Sequence, residues 1–190
     1  MTAIHFRRAV PADAARVARL RREGEAGGDP PERMARYLAG EHHPQQALPP
    51  RAMWIAEEDG GEPAGYVAGH LTRRFGCDGE LQWIYVVADR RRSGLGREMV
   101  GLMARWFVEN GARRVCVNVG DEAARPFYRH CGAVDLRPHW MVWDDVGRVL
   151  EAPLTPGPSS QPRGDGQRGR KRRRAGLSEY TPPITDGIHT

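Results

Sequence analysis

The feature that most constrains the fold is an apolar strand followed by a short glycine- and arginine-containing loop and an amphipathic helix. Residues 81–87 are almost continuously apolar or aromatic, which is typical of a central strand of a sheet. Residues 94–110 repeat large apolar side chains at helical spacing, and Gly111 follows as a stop signal. The unit predicts a sheet with this helix packed on one face.

Strand and helix signals alternate on both sides of this unit. Strands are predicted over 4–7, 53–57, 64–72, 115–119 and 140–143, and helices over 11–24, 30–40 and 122–130. The turn at 59–61 joins two of the strands into a hairpin. We therefore predict an α/β (α+β) fold in which helices flank a sheet.

The composition changes sharply at Glu151. Residues 151–190 are rich in proline and glycine and almost free of large apolar side chains, so burial cannot offset the entropy of ordering them. We predict a folded domain over 1–150 and a disordered tail over 151–190. The tail holds seven basic and four acidic residues, so it contributes more than half of the net charge of +5.

The basic run from Arg170 to Arg174 lies within this tail. We interpret it as a solvated charge run, and contact with nucleic acid is the alternative. The sequence has no apolar run near the ~18 residues that a membrane span needs, and it lacks the order of a signal peptide. We therefore expect a cytoplasmic protein that binds no membrane.

Several common catalytic and binding motifs are missing. Ser93 is the only serine before residue 159 and lies outside any G-x-S-x-G, and no phosphate-binding P-loop occurs. Met99 replaces the third glycine of a dinucleotide fingerprint. No C-x-x-C or H-E-x-x-H spacing occurs, so we predict no metal site.

The three scattered cysteines, Cys77, Cys116 and Cys131, are expected to be buried rather than disulfide-bonded.

The loop that joins the central strand to the long helix is the best candidate binding site. Gly94 and Gly96 allow the backbone to approach a ligand, and the helix N-terminus presents free N–H groups and a positive dipole end. With Arg91, Arg92 and Arg97 nearby, the loop favours a phosphate or pyrophosphate group. An ordinary βα turn containing glycine is the alternative.

The pattern R-x-x-G-x-G at 91–96, with A-x-x-x-Y at 124–128, resembles the GNAT (GCN5-related) N-acetyltransferases. The resemblance covers about residues 4–144 and implies a mixed, mostly antiparallel sheet flanked by helices. It also implies direct transfer of an acetyl group from acetyl-CoA to an amine, without a covalent enzyme intermediate and without a metal. The family often has asparagine seven residues before the tyrosine, where this chain has Asp121.

The resemblance also implies which residues bind the co-substrate. The pyrophosphate would lie on the backbone amides of seven loop residues: Arg91, Arg92, Ser93, Gly94, Leu95, Gly96 and Arg97. The pantetheine would lie along the central strand at Ile84, Tyr85 and Val86.

Two residues are candidates for proton transfer. Tyr128 matches the tyrosine that protonates the leaving thiolate in the family, and its alternative is a packed core aromatic. Glu80 begins the central strand, where some family members have a glutamate as general base. Partial burial beside Trp83 and Tyr85 would raise its pKa, and its alternative is a surface glutamate.

The acceptor is the least defined part of the prediction. Five aromatic residues could form its walls or belong to the core: Trp54, Trp83, Tyr85, Trp140 and Trp143. His70 and His139 are interpreted as ordinary strand or loop residues. The acceptor is expected to be a small-molecule or peptide amine, and the sequence leaves a homodimer open. The alternatives are a non-catalytic acyl-CoA-binding regulatory module and a nucleic-acid-associated protein acting through the tail.

Overall fold

The computed structural model describes residues 3–24, 31–41 and 43–151 of the 190-residue chain. The strands of this part are β1 (Ile4–Arg8), β2 (Ala47–Glu58), β3 (Pro63–Thr72), β4 (Gly79–Val86), β5 (Val115–Asn118), β6 (Val134–Arg137) and β7 (Trp140–Trp143). The helices are α1 (Ala14–Gly24), α2 (Pro31–Ala39), α3 (Leu95–Glu109), α4 (Arg125–His130) and α5 (Arg148–Glu151).

The strands form a seven-stranded sheet in the order β1-β2-β3-β4-β5-β7-β6. Every neighbouring pair is antiparallel except β4 and β5, which are parallel. The parallel pair requires a crossover, and α3 supplies it between the two strands. The predicted mixed, mostly antiparallel sheet with flanking helices is confirmed.

The two faces of the sheet carry separate hydrophobic clusters. On one face, α3 and α4 pack against β3, β4 and β5 through side chains that include Val67, Leu81, Met99, Met103 and Phe107. On the other face, α1 and α2 pack through side chains that include Val17, Met34, Tyr37, Ile55 and Tyr66. We call the first the α3 face and the second the α2 face.

Glycines allow α3 to lie close to the sheet. A Cβ atom at Gly69 would lie 2.5 Å from Cε of Met103 and 2.8 Å from Cζ of Phe107. A Cβ atom at Gly79 would lie 2.5 Å from Cε1 of Phe107. The side chains of α3 therefore rest on bare backbone of β3 and β4, and this contact sets the height of the helix above the sheet.

A bulge in β4 changes which residues point to which face. Leu81 pairs with Gly69 and Trp83 pairs with Ala68, so Gln82 is an extra residue without a partner on β3. Leu81 packs into the α3 face before the bulge, and Ile84 and Val86 do so after it. Trp83 and Tyr85 pack on the α2 face.

The pairing of β4 with β5 is short. Only Gly79, Glu80 and Leu81 pair with β5, opposite Val115, Cys116 and Val117. Strand β4 continues to Val86, so its last five residues have no β5 partner. This leaves an open edge of backbone inside the sheet, which we call the β4 edge (residues 82–86).

Some elements differ from the sequence prediction. The edge strand β6 and the short helix α5 were not predicted, because neither has a clear apolar period. Strand β2 begins at Ala47, six residues before the predicted start, and the helix predicted over 122–130 is a 3₁₀ turn over Glu122–Ala124 followed by α4.

Other sequence expectations have different outcomes. All three cysteines are buried and free, as predicted. Among the described helices, none is long and apolar enough to cross a membrane. Residues 152–190 lie outside the described part of the chain, so the disordered tail and its basic run stay predictions.

We expect Gly69→Ala to destabilise the protein by roughly 1–3 kcal/mol, because the added methyl collides with Met103 and Phe107 under α3. The matched control is Gly101→Ala on α3, where an added Cβ meets nothing within 4 Å. The control should stabilise the helix by up to about 1 kcal/mol. Urea unfolding measures both free energies, and equal effects of the two substitutions would contradict the close packing.

Candidate active site

The loop between β4 and α3 presents unpaired backbone N–H groups. In this segment the N–H groups of Ser93, Gly94 and Gly96 have no hydrogen-bond acceptor among the described residues, whereas those of Arg97 and Glu98 bond to the carbonyl of Gly94. Residues 91–94 are exposed. The loop therefore has the free donors that an anionic ligand requires at a helix N-terminus.

The two positions of the loop require glycine for different structural reasons. Gly94 adopts φ 97°, a left-handed conformation that disfavours a side chain, and an added Cβ there would meet open space. A Cβ at Gly96 would lie 3.1 Å from Cε2 of Phe127 and 3.8 Å from Cγ2 of Val86. Gly96 thus permits close packing of α3 on α4, whereas from the sequence both glycines were expected to clear space for a ligand.

The loop arginines are not equivalent. The guanidinium of Arg91 folds back onto β4, where Nε donates to the carbonyl of Val86 at 3.1 Å and Cζ lies 5.8 Å from the centre of the Tyr85 ring. Arg92 is exposed and has φ 61°. Arg91 therefore covers the end of the β4 edge as well as adding positive charge to the loop.

The β4 edge meets the loop at its last residue, Val86. Gln82 lies at the other end of this edge, where the ladder with β5 stops, and its side-chain Oε1 is buried without a hydrogen-bond partner in the described residues. A buried amide oxygen without a donor is unusual. The open side of residues 82–86 therefore leads along β4 from the end of the β5 ladder to the loop with free amides.

Glu80 is buried on the α2 face, with 4% of its surface exposed. Its Oε2 accepts a hydrogen bond from Nε of Arg74 at 2.8 Å and lies 3.8 Å from Nε2 of His70. Burial raises the pKa of Glu80 above its usual value, and the bond to Arg74 opposes that rise. The surface-glutamate alternative is excluded, and Arg74 and His70 are partners of Glu80 that the sequence did not predict.

The side of Glu80 that faces β7 has a wall of aromatic and arginine side chains. The guanidinium of Arg74 lies 4.8 Å from the ring centre of Trp140, which packs against Phe75 at 5.1 Å. Arg137 lies over the other aromatic ring of this group, 4.2 Å from the centre of Phe75. Trp83 and Tyr37 pack against each other in the cluster of the α2 face, with ring centres 4.8 Å apart.

The five candidate aromatics divide between core and site. Trp143 is buried in the cluster of the α3 face, and Trp54 packs against Trp106 on the same face. Trp83, Tyr85 and Trp140 lie on the face of Glu80 and are partly exposed. The last three therefore remain candidates for the acceptor site.

Tyr128 lies on the face of the sheet opposite to Glu80. Helix α4 buries it in the α3-face cluster, where its ring packs edge-on to Trp143 at 6.2 Å and beside Phe127 at 5.2 Å. Asp121 caps the preceding 3₁₀ turn by accepting from the N–H of Ala123 at 2.9 Å. Tyr128 is packed like a core aromatic, and its role in proton transfer stays a prediction.

Sequence reasoning missed Tyr37, Arg74 and the role of His70. His70 was interpreted as an ordinary strand residue, yet it is completely buried and pairs with Glu80 across the β3–β4 ladder. A polar residue on the inward face of an otherwise apolar strand was the available signal. In the part of the chain that the structure describes, no group of three or more His, Cys, Asp or Glu side chains could hold a metal ion.

Comparisons with known proteins agree on the kind of fold. The model of the acetyltransferase (GNAT) family matches residues 16–133, and no curated protein matches the chain. A GNAT-family acetyltransferase from Brucella melitensis, solved with acetyl-CoA, is 21% identical with a TM-score of 0.56, over 74% of this chain and 87% of its own.

Two further solved structures are similar to this chain. NAA60 of Arabidopsis thaliana, solved with a bisubstrate analogue, is 15% identical with a TM-score of 0.59, over 74% of this chain and 97% of its own. A GNAT-family acetyltransferase from Streptococcus pneumoniae is 22% identical with a TM-score of 0.55, over 74% of this chain and 99% of its own. At these identities the likeness establishes the fold.

The raised pKa of Glu80 predicts a pH-dependent difference between wild type and Glu80→Gln. A carboxyl whose pKa is raised by folding gives its full stability below the unfolded pKa, and this contribution is lost as pH rises through the folded pKa. The variant lacks this loss, so its melting temperature should rise relative to wild type as pH rises above about 4.3, the ordinary pKa of a glutamate. Glu62→Gln, at an exposed turn residue, is the control. A constant difference across this range would show that Glu80 is not held in a desolvated site.

Proposed function

Because the chain belongs to the GNAT family of acetyltransferases, we propose that it transfers an acetyl group from acetyl-CoA directly to an amine. The observation that carries this proposal is the β4 edge, which runs from the orphaned Gln82 to a loop with free amides. An extended amide-containing chain that ends in a pyrophosphate has the shape and hydrogen-bonding groups for this path. The residues present therefore fit acetyl-CoA.

The co-substrate would be held by two groups of residues. The backbone of Ile84, Tyr85 and Val86 would bind the pantetheine in the manner of an added strand. The loop residues Arg91, Arg92, Ser93, Gly94, Leu95, Gly96 and Arg97 would bind the pyrophosphate through free N–H groups and positive charge. When bound, acetyl-CoA supplies an activated acyl group as a thioester.

The two candidate proton-transfer residues lie on opposite faces of the sheet, Tyr128 on the α3 face and Glu80 on the α2 face. A reacting group in the gap between β4 and β5 would be reached from both faces. We assign proton removal from the amine to Glu80 and protonation of the departing sulfur to Tyr128.

The geometry of Glu80 favours one of its oxygens for contact with the acceptor. Oε2 is bonded to Arg74, whereas Oε1 has no hydrogen-bond partner among the described residues. Oε1 is therefore the atom that would receive the proton of the amine. The neighbouring Trp83, Trp140 and Tyr85 would bind the apolar part of a small-molecule or peptide acceptor.

The experiment that tests the function is an assay of thiol release from acetyl-CoA with a panel of amines. The panel contains a small amine, an amino acid, an aminoglycoside and a short peptide with a free N-terminus. Amine-dependent thiol release with acetylation of the amine, seen by mass spectrometry, supports the proposal. CoA binding without transfer to any amine would instead favour a non-catalytic regulatory module.

We expect Gly96→Val to weaken CoA binding roughly tenfold or more. The added side chain meets the Phe127 ring, so the start of α3 must move and its free amides with it. Gly101→Val is the matched control on the same helix, since an added Cβ there meets nothing within 4 Å. Calorimetric titration with CoA measures both affinities, and unchanged affinity in a folded Gly96→Val protein would count against the pyrophosphate site.

We expect Tyr128→Phe to lower kcat about 10²-fold, because the proton donor is lost while the ring and its packing on Trp143 remain. The affinity for CoA and the melting temperature should change little. A purely structural role predicts the reverse, with reduced stability and normal turnover. Near-normal kcat at saturating acceptor would therefore exclude the acid role.

A further inference from the structure

A row of aromatic and arginine side chains leads away from Glu80 toward the edge strand β6. The guanidinium of Arg74 bonds Oε2 of Glu80 at 2.8 Å and lies 4.8 Å from the ring centre of Trp140. The Trp140 ring packs against Phe75 at 5.1 Å, and Cζ of Arg137 lies 4.2 Å from the centre of the Phe75 ring. We call Arg74, Trp140, Phe75 and Arg137 the aromatic wall. The candidate base therefore lies at one end of this wall and a second guanidinium at the other.

A bulge in β6 brings Arg137 to this wall. In the ladder with β7, Leu136 is an extra residue without a partner. Leu136 packs against the same small cluster as Phe75, and the next residue, Arg137, lies over the Phe75 ring. The turn between β6 and β7 is tied to the end of β5, because the N–H of Val119 donates to the carbonyl of His139 at 2.7 Å. The fold therefore sets the position of Arg137.

Arg137 is exposed, and no ion pair joins it to a carboxylate among the described residues. The acids on its own strand and on the turn before α4 are already paired. Asp135 accepts hydrogen bonds from Arg125 and from Arg129, each at 2.5 Å. Glu122 accepts from Arg125 at 2.6 Å. Within the described part of the chain, the positive charge of Arg137 is therefore not neutralised.

The contact with Phe75 leaves the hydrogen-bonding groups of Arg137 available. A guanidinium that lies over an aromatic ring uses its flat face, whereas its N–H groups lie in the plane of the group. Contact with the ring also restricts the long side chain before a ligand arrives, so less entropy is lost on binding. Pairs of guanidinium N–H groups match the two oxygens of a carboxylate. Arg137 therefore has the geometry and the charge to bind a carboxylate.

Arg74, at the inner end of the wall, cannot take the same role. Its Nε donates to Glu80, a terminal N–H donates to the carbonyl of Gln45, and its side chain is only 13% exposed. Its charge is used to hold Glu80. The wall therefore offers a ligand an acidic group at one end, two aromatic rings, and an unpaired cation at the other end.

We propose that the acceptor is an amine that also carries a carboxylate, and that Arg137 is the residue that selects it. The inference rests on the proposed transfer of an acetyl group to an amine. The ammonium end would lie at Glu80, the apolar part on Trp140 and Phe75, and the carboxylate at Arg137. Because two rings lie between the ends of the wall, the carboxylate is expected several bonds away from the amine. An ω-amino acid has this chemistry, and so has a peptide with an acidic residue near its N-terminus.

The test compares acids with their own carboxamides in the assay of thiol release. One series contains ω-amino acids long enough that the carboxylate hardly changes the pKa of the amine. The other contains short peptides with aspartate or asparagine near the N-terminus, so the two series distinguish the two sources of the carboxylate. In wild type, the acid of at least one matched pair should have a kcat/KM roughly tenfold above that of its carboxamide, through a lower KM. Equal kcat/KM within every pair would overturn the inference.

Substitutions at Arg137 test whether this residue makes the selection. Arg137→Gln should bring the ratio of kcat/KM for acid and carboxamide close to one, because the charge and the paired donors are lost. Arg137→Lys keeps the charge without the planar pair of donors and should keep part of the preference. Arg105→Gln, at an exposed position of α3, removes the same charge and should keep the wild-type ratio. A preference that survives Arg137→Gln in full would overturn the role of Arg137.

A binding measurement separates this inference from the proposed function. If no amine is acetylated, the proposed function fails, and calorimetric titration of the protein with the same pairs in the presence of CoA still measures the preference. Tighter binding of the acid than of its carboxamide, lost in Arg137→Gln, supports the inference, and equal binding overturns it. If amines are acetylated but acids and carboxamides react equally well, the inference alone fails.

Discussion

The ladder between β4 and β5 stops after three residue pairs, and the rest of the candidate site depends on that early end. If the two strands paired along their full length, the backbone of residues 82–86 would be used within the sheet. Because the ladder stops, the side of this backbone that faces away from β3 has no strand partner, and only the carbonyl of Val86 is covered there, by Arg91. The gap between β4 and β5 can be reached from both faces of the sheet. Glu80 lies at the last paired residues, where the closed part of the sheet holds it in place.

Close packing on the α3 face transmits this arrangement to the loop. Glycines in β3 and β4 let Met103 and Phe107 rest on the backbone, so α3 is held at one height. At its first turn, Gly96 allows contact with Phe127, the neighbour of Tyr128. The candidate anion-binding loop and the candidate acid are therefore positioned by the contact between Gly96 and Phe127.

The strand–loop–helix unit could be predicted because its signals are local. The apolar run, the glycines and the helical period each lie within about one element. The partners of Glu80 could not be predicted, because Arg74 and His70 reach it only through the register of the β3–β4 ladder. The extra residue Gln82 shifts that register, and a periodic pattern in the sequence does not show where a bulge lies.

The same bulge separates two sets of positions that evolution can vary independently. After Gln82, Ile84 and Val86 face the α3 core, while Trp83 and Tyr85 face the α2 side, where we propose the acceptor binds. Exchange of the latter pair could alter the preferred acceptor without repacking the helix that carries the loop. Deletion of Ile84 would instead shift every later residue of β4 by one position, so that Tyr85 would face α3. In this strand we therefore expect substitutions to be tolerated during divergence and changes in length outside the bulge to be eliminated.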